Sequence, residues 1–516
     1  MTALGAPPAG APPGERSRAH PWRPSDPHAA PGAGPDLAAV ALATAVALGV
    51  VIRAYLVLSR DFPLNDGGLF YAMADDLRRN GFRLPPVTSY NGAGLPFGYS
   101  PLGIYLAAAF SALGVPLMQT LRAIPLVATC LTVPAFALLA RELLPSRIAQ
   151  IAAVFAFAVL PRSFTWLLMG GGLTRSLGYL FALLAIGLAL RLFRGRELRW
   201  LPWVTLATAA GVLAHLGTAP FLVVSFVLMF AAYGRDRRTL GWSVVIAIGT
   251  ALLSAPWWAT VIAQHGLGPF RAAAATGQSI LSPGLERYWV LMTLAHLGIG
   301  TSGEPMGPVI WALALAGAVL SVARVRLVLP IWWPLVLAFD GRQGATLASA
   351  PVALLAGVAV AEAWTLLGAR TAPSRPLRRR AVATAAVLCA AIAYTGTWAL
   401  NREPAFGGEG WTLEPLRPSE RDAMAWVRRA LPAESRFLVV SGVGWPTDRW
   451  GEWFPVLAGR RSVATVQGYE WAPDRSFARR VQRHARLQAC AREGAPCLES
   501  WLGGASAAPD FLYVPR

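Results

Sequence analysis

The sequence predicts an α-helical polytopic membrane protein of about eleven transmembrane helices, followed by a small C-terminal extracytoplasmic α/β domain. Three observations carry that reading. The 516 residues are 55% hydrophobic and 14% charged, with a mean hydropathy of +0.46, whereas soluble domains sit near 45–50% apolar and about 25% charged. Apolar runs recur from residue 37 to residue 400, several of them near the ~20 residues that cross a bilayer. The arginines between these runs fall in short loops on one side only, the positive-inside pattern.

The elements follow in order. Residues 1–36 are rich in Ala, Pro and Gly and cannot bury a core, so they read as a disordered cytoplasmic tail. Leu37–Leu58 is too long for a signal-peptide core and reads as a retained first helix. Further spans are expected at 120–141, 147–162, 174–193, 200–214, 215–233, 240–262, 305–323, 327–339, 344–367 and 381–400. Together they form a membrane domain over 37–400. Arg141 and Arg147, Arg191 to Arg199, Arg235 to Arg238, Arg324 and Arg326, and Arg370 to Arg380 all land on the side of the N-terminal tail. An odd count of spans then puts 401–516 outside. The net charge of +19 comes entirely from arginine, and its placement in loops argues for topology rather than nucleic acid.

The outer segment 401–516 carries 16 Arg against 13 Asp plus Glu. Helices are expected at Pro418–Leu431, Gly451–Ala458 and Asp474–Cys490, and strands at Arg436–Ser441, Ser462–Val466 and Phe511–Val514. That alternation suggests an α/β unit. Cys490 and Cys497 lie here, where a disulfide is allowed. Cys130 and Cys389 lie in apolar runs and read as packing residues. The sequence has no zinc-type Cys/His spacing, nucleotide-binding phosphate loop or internal repeat.

The first outer loop, 59–120, is the longest connection in the membrane body. Leu69, Phe70, Met73 and Leu77 share one face of a helix, with Asp75, Asp76, Arg78 and Arg79 opposite, a pattern suited to the membrane interface. Pro101–Leu113 is a second apolar piece too short to span comfortably. Asp66 stands just before the first of these helices, between Asn65 and Gly67–Gly68. It could be a helix N-cap or a general base at the membrane surface. The other acidic residues expected outside before position 401 are Asp61, Asp75, Asp76, Glu286, Glu304 and Asp340. Among these, Asp66 alone is embedded in apolar, glycine-bounded sequence.

Many short spans, a long first outer loop with an acidic motif, and an aromatic-Pro-Leu segment together resemble the GT-C glycosyltransferases. These include protein mannosyltransferases and lipid A aminoarabinose transferases, which use polyprenyl-phosphate sugars. Asp66 with Leu69–Tyr71 matches the family's first-loop motif, although Gly67 stands where the family often has Glu. Gly98-Tyr99-Ser100-Pro101-Leu102 resembles its Pro-Leu segment, and Arg122 an arginine common at the next helix. The resemblance implies an inverting transferase of the plasma membrane. It would move a sugar from a polyprenyl-phosphate donor to a lipid, glycan or protein acceptor, with Asp66 as base and no nucleic-acid partner. A divalent metal is not supported by any clear acidic pair.

Sugar transfer also needs positive charge on the departing phosphate, and the guanidinium fork suits it. By resemblance Arg342 fills that role, with a local pair to Asp340 as the alternative. Arg175 follows Gly170–Gly172, where backbone N–H groups could approach an anion or the glycines could simply allow close packing. Asn65, Tyr99, His215 and His265 complete the candidate substrate contacts, each histidine with a structural alternative. Arg53 either snorkels or marks a site within the membrane. Trp411, Trp445, Trp453 and Trp471 are sugar platforms or core. The rival readings are an oligosaccharide ligase or oligosaccharyltransferase-like enzyme, and a non-catalytic lipid or polysaccharide transporter or scaffold.

Overall fold

The computed structural model describes residues 36–276, 307–339, 343–367, 413–503 and 508–515. The expected tail as far as residue 35, the last expected span 381–400, Glu286, His296, Glu304, Asp340, Arg342, Cys389 and Trp411 lie outside the described residues.

The membrane body is helical: α1 (Leu37–Leu58), α4 (Leu117–Leu143), α5 (Arg147–Val159), α7 (Gly172–Gly195), α8 (Leu201–Ala214), α9 (Thr218–Tyr233) and α10 (Arg237–His265). It continues through the short α11 (Gly268–Thr276), α12 (Gly307–Ala323), α13 (Val328–Phe339) and α14 (Ser349–Leu367). Among the described residues five helices are long and apolar enough to cross a bilayer: Leu37–Leu58, Leu117–Leu143, Gly172–Gly195, Arg237–His265 and Gly344–Leu366. The chain is a multi-pass membrane protein. The helix α7 is its central post, packed against α4, α8 and α9, while α14 packs on α5 and α12.

The span expected at 147–162 is broken. The helix α5 ends at Val159, and Pro161–Leu168 leaves it at 81° through a 3-10 turn and the short α6 (Thr165–Leu168). Proline explains the break, because it cannot donate to the ladder. The break also accounts for Arg53, which does not snorkel. Arg53 is fully buried and donates to the Gly49 and Ala158 carbonyls, each at 3.0 Å, and to Ser163 Oγ at 2.8 Å. A helix end leaves carbonyls without intrahelical partners, and the guanidinium satisfies one of them.

The first loop carries α2 (Gly68–Arg79) and α3 (Leu102–Ala112). The apolar face of α2 is not laid on the bilayer. Leu69, Phe70, Met73, Ala74 and Leu77 are buried, against α3 on one side and, on the other, α16 (Arg449–Leu457) of the C-terminal segment, called outer for the side the sequence expects it to occupy. Arg122 donates to Val57 O at 3.1 Å and so covers the C-terminus of α1.

In the outer segment, α15 (Pro418–Ala430), α16, α17 (Phe477–Glu493) and α18 (Ala495–Gly503) surround a parallel sheet of order β2-β1-β3. Its strands are β1 (Arg436–Val439), β2 (Arg461–Ser462) and β3 (Phe511–Tyr513). The strand expected over 462–466 stops at Ser462, whose outward backbone edge is taken by the Asn91 side chain. Asn91 Nδ2 donates to Ser462 O at 2.9 Å, and Ser462 N donates to Asn91 Oδ1 at 2.8 Å. Cys490 and Cys497 are joined by a disulfide between α17 and α18. One buried apolar cluster runs from α4 and α7 through α2 to Phe437, Trp453 and Phe454. The first loop is thus packed between the membrane body and the outer segment.

Candidate functional site

The residues Leu64–Asp66 form a strip held from both sides. On the membrane side Leu64 bridges Met169, and Gly170 N donates to Leu64 O at 2.9 Å. On the outer side Leu64 bridges Pro415, and Asn65 N donates to Glu414 O at 2.9 Å. Asn65 has φ 53°, a left-handed conformation that asparagine tolerates. Its amide donates to Pro446 O and its carbonyl accepts from Trp453 Nε1, both at 2.9 Å.

Asp66 does not cap α2. The N-cap of α2 is Gly67, with no side-chain bond, and the Asp66 carboxylate accepts from Gly171 N at 2.7 Å. The glycine run therefore does present a backbone N–H to an anion, and that anion is Asp66 itself. A Cβ at Gly171 would stand 2.6 Å from Asp66 Oδ2. Gly67 has φ +136°, and a Cβ there would meet Trp453 at 2.9 Å and Gly170 at 3.1 Å. A glutamate has no room at this position.

A carboxylate comes instead from the outer segment. Glu452, on α16, accepts from Leu69 N at 3.0 Å through Oε1, and so takes the cap position that Asp66 leaves open. Its main-chain carbonyl accepts from the buried Tyr90 hydroxyl at 2.7 Å. Asp448 caps α16 by accepting from Gly451 N at 3.0 Å and pairs with His484 at 2.9 Å.

These groups border a cavity of about 640 Å³ between membrane body and outer segment. One wall comes from the broken helix and its surroundings: Arg162, Trp166, Met169, Arg175, Gln343 and Thr346. The facing wall is Trp445, Gln467, Phe477, Val481 and Gln482, with Asn65, Asp66, Asp448 and Glu452 between the two. Trp445 and Phe477 meet edge to face with ring centroids 5.5 Å apart.

Burial pushes the Asp66 carboxyl above the usual carboxylate range, opposed by the Arg175 guanidinium and the Gly171 N–H. Burial pushes Glu452 well above it, and the negative charge of Asp66 adds to the effect. Burial, with Glu452 alongside, also raises the Tyr90 phenol. Desolvation and like charge both disfavour ionising the two carboxyls together.

Asn65, Asp66 and Arg175 of the sequence candidates line the cavity. His215 stands behind it, with Nε2 2.7 Å from the Gln343 amide nitrogen. Tyr99 and His265 do not line it. The Tyr99 ring packs between Phe70 and Trp471, with centroids at 5.2 and 5.0 Å. His265 meets Pro86 O at 2.6 Å on the exposed side of the first loop. Trp453 and Trp471 are buried core, whereas Trp445 borders the cavity. Sequence reasoning missed Glu452, Arg162 and Gln467. Only Arg162 had a visible signal, an arginine next to a proline inside an apolar run. Among the described residues no group of three or more His, Cys, Asp or Glu side chains could hold a metal ion.

No family model and no curated protein matches the sequence. Solved structures do match. The archaeal oligosaccharyltransferase AglB from Archaeoglobus fulgidus, in complex with an inhibitory peptide and a dolichol-phosphate, aligns at 14% identity with a TM-score of 0.50. The match covers 83% of this chain and 64% of AglB. The chain shares the fold of this structure, as the resemblance to the GT-C glycosyltransferases implies. ArnT from Cupriavidus metallidurans bound to undecaprenyl phosphate aligns at 14% identity with a TM-score of 0.47, covering 86% of this chain and 89% of ArnT. This chain therefore spans just under two thirds of AglB and shares its architecture at low identity.

Proposed function

We propose that this GT-C chain is an inverting glycosyltransferase that moves a sugar from a polyprenyl-phosphate donor to an acceptor on the outer face of the plasma membrane. The N-terminus is cytoplasmic and the segment after residue 400 extracytoplasmic, in keeping with the one-sided arginine loops. The observation that carries the reading is the cavity at the junction. A buried carboxylate, Asp66, borders it together with two arginines, Arg162 and Arg175. A dolichol-phosphate accompanies the AglB structure, and guanidinium groups suit such a phosphate.

Asp66 takes the proton of the acceptor hydroxyl. The oxygen's electron pair forms the new bond to the anomeric carbon as the bond from that carbon to the phosphate oxygen breaks. The electrons leave on the phosphate, which Arg175 and Arg162 stabilise. A raised pKa suits Asp66 to this work, because a base is most effective when its pKa approaches the working pH. Direct displacement in line inverts the anomeric centre. Trp445 and Phe477, beside the amides of Gln467 and Gln482, form the acceptor side, where aromatic faces and amides suit sugar rings.

The test is transfer or hydrolysis of a panel of radiolabelled polyprenyl-phosphate sugars by the purified protein in detergent, wild type against Asp66→Asn. One donor turns over, and the variant loses about 10²–10⁴-fold while keeping its fold. Undiminished turnover in Asp66→Asn would sink the base assignment. A second reading, block transfer of a preassembled glycan, is favoured by one observation: Glu452 supplies a second carboxyl beside Asp66. Lipid-linked oligosaccharides in the same panel decide between the two.

A further inference from the structure

The helix α16 sets Glu452 against the N-terminus of α2, where its Oε1 accepts from Leu69 N at 3.0 Å and its main-chain carbonyl accepts from Tyr90 at 2.7 Å. Glu452 is 6% exposed and Asp66 8%, and both border the same cavity. Their surroundings differ. Asp66 receives the Gly171 N–H at 2.7 Å and the field of Arg175 from α7. Glu452 feels the negative charge of Asp66 from the strip, while Glu470 from the turn Tyr469–Trp471 acts on both carboxyls. Tyr90 from the first loop is a neutral phenol. Asp448, on the same wall, is paired with His484 of α17. Arg449, the basic residue of α16, is engaged with Glu414 at 3.6 Å. Each carboxyl accepts a backbone N–H and each feels Glu470, so what sets them apart is Arg175, whose positive charge acts on Asp66.

We propose that Asp66 and Glu452 form a carboxyl pair holding one proton, with the charge on Asp66 and the proton on Glu452, so that the outer segment supplies the second acidic group of the transfer site. Two like charges buried at the edge of one cavity are costly, and a single proton held by the pair removes one of them. Glu452 acts through Asp66. As a neutral acid it leaves Asp66 the one negative charge able to take the acceptor proton, and it adds no second charge to repel the phosphate that departs. At alkaline pH it gives up its proton and the site becomes doubly negative, which opposes transfer. This role in transfer rests on the reading of Asp66 as the base, whereas the protonation state does not.

The experiment is infrared titration of the full-length protein in detergent, following the carbonyl stretch of a protonated carboxylic acid. The wild type shows the band at neutral pH. Carboxyl-13C glutamate labelling moves it and 13C aspartate labelling does not, which assigns the proton without any substitution. Glu452→Gln abolishes the band. Asp66→Asn keeps it but lets it titrate away at lower pH, since the like charge has gone. A wild type without the band at neutral pH would overturn the proposal, as would a band moved by aspartate labelling or one that survives Glu452→Gln. None of these readings needs turnover, so a failure of the transferase reading leaves them standing. Where a donor turns over, the alkaline limb of the wild-type pH–rate profile disappears in Glu452→Gln. An unchanged limb in that variant would remove Glu452 from the transfer step.

Discussion

The strip Leu64–Asp66 is gripped differently on its two sides. On the membrane side the contacts are backbone against backbone. Gly170 and Gly171 approach so closely that a Cβ at either would lie 2.0 Å from Asp66 O or 2.6 Å from Asp66 Oδ2. On the outer side the backbone contacts to Glu414 and Pro415 are joined by side chains reaching across: the Asn65 amide to Pro446, the Trp453 indole to Asn65, and the Glu452 carboxyl to Leu69. The membrane side fixes where the carboxylate stands by excluding every larger residue. The outer side fixes it through hydrogen bonds that can be removed one at a time.

The sharpest way to break that comparison is Gly171→Ala. Its methyl group would occupy the position of the Asp66 carboxylate, which must move by about an ångström, and a misplacement of that size costs about 10²-fold in rate. Donor turnover should fall by that order while the detergent-solubilised protein keeps most of its thermal stability. Turnover close to wild type would mean that Asp66 does not need the Gly171 N–H.

On the outer side the corresponding change is Asn91→Ala. Two backbone groups of Ser462 lose partners, the N–H at 2.8 Å and the carbonyl at 2.9 Å, and each buried orphan costs about 1–3 kcal/mol. Alanine must also adopt φ 58°, a further cost of about 1 kcal/mol. The outer segment should become protease-sensitive at a lower temperature than in the wild type, with the membrane helices still protected. Loss of both together would mean that the two regions unfold as one unit.

The third effect depends on pH. The Asp66 and Glu452 carboxyls are both raised by burial. Their contribution to stability is therefore fully present below the ordinary carboxylate range and is lost as pH rises through the folded-state values. Glu452→Gln removes the Glu452 part of that loss. The melting temperature of the variant minus that of the wild type should be near its minimum in acid and should grow steadily toward alkaline pH. A difference that stays flat with pH would show that Glu452 titrates in the folded protein as it does in the unfolded chain.

Much of the membrane body was legible because hydropathy and helix period report a single fact, which residues avoid water. Leu37–Leu58 was read to the residue, and Arg147, Phe339 and Leu367 were placed as helix ends. The misses have one cause, contacts between distant residues. Leu69 and Glu452 are 383 positions apart, and nothing local in Gly451–Phe454 distinguishes a carboxylate that caps a remote helix from one that faces solvent. Arg53 was misread for a related reason. Its burial depends on the carbonyl that α5 frees at Ala158, 105 residues away. Asp66 borders the cavity, but its reading as a cap assumed that helix and cap are neighbours in sequence. The cap comes from another region.

The smallest effect belongs to His265→Ala. The imidazole Nε2 lies 2.6 Å from Pro86 O on an exposed face, and the neighbouring Gln264 reaches Leu84 O at 3.5 Å. This is a third grip on the first loop, from α10, made at the surface where water replaces a lost bond. Stability should change by no more than about 0.5 kcal/mol, and donor turnover should stay at the wild-type level. The segment 84–99 has other anchors. Thr88 N donates to Leu95 O and Phe97 N to Pro86 O, and Tyr99 is clasped by Phe70 and Trp471. A large loss of turnover in His265→Ala would mean that these anchors do not suffice and that α10 sets the loop's position against the cavity. The grip on Asp66 would then have three sides rather than two.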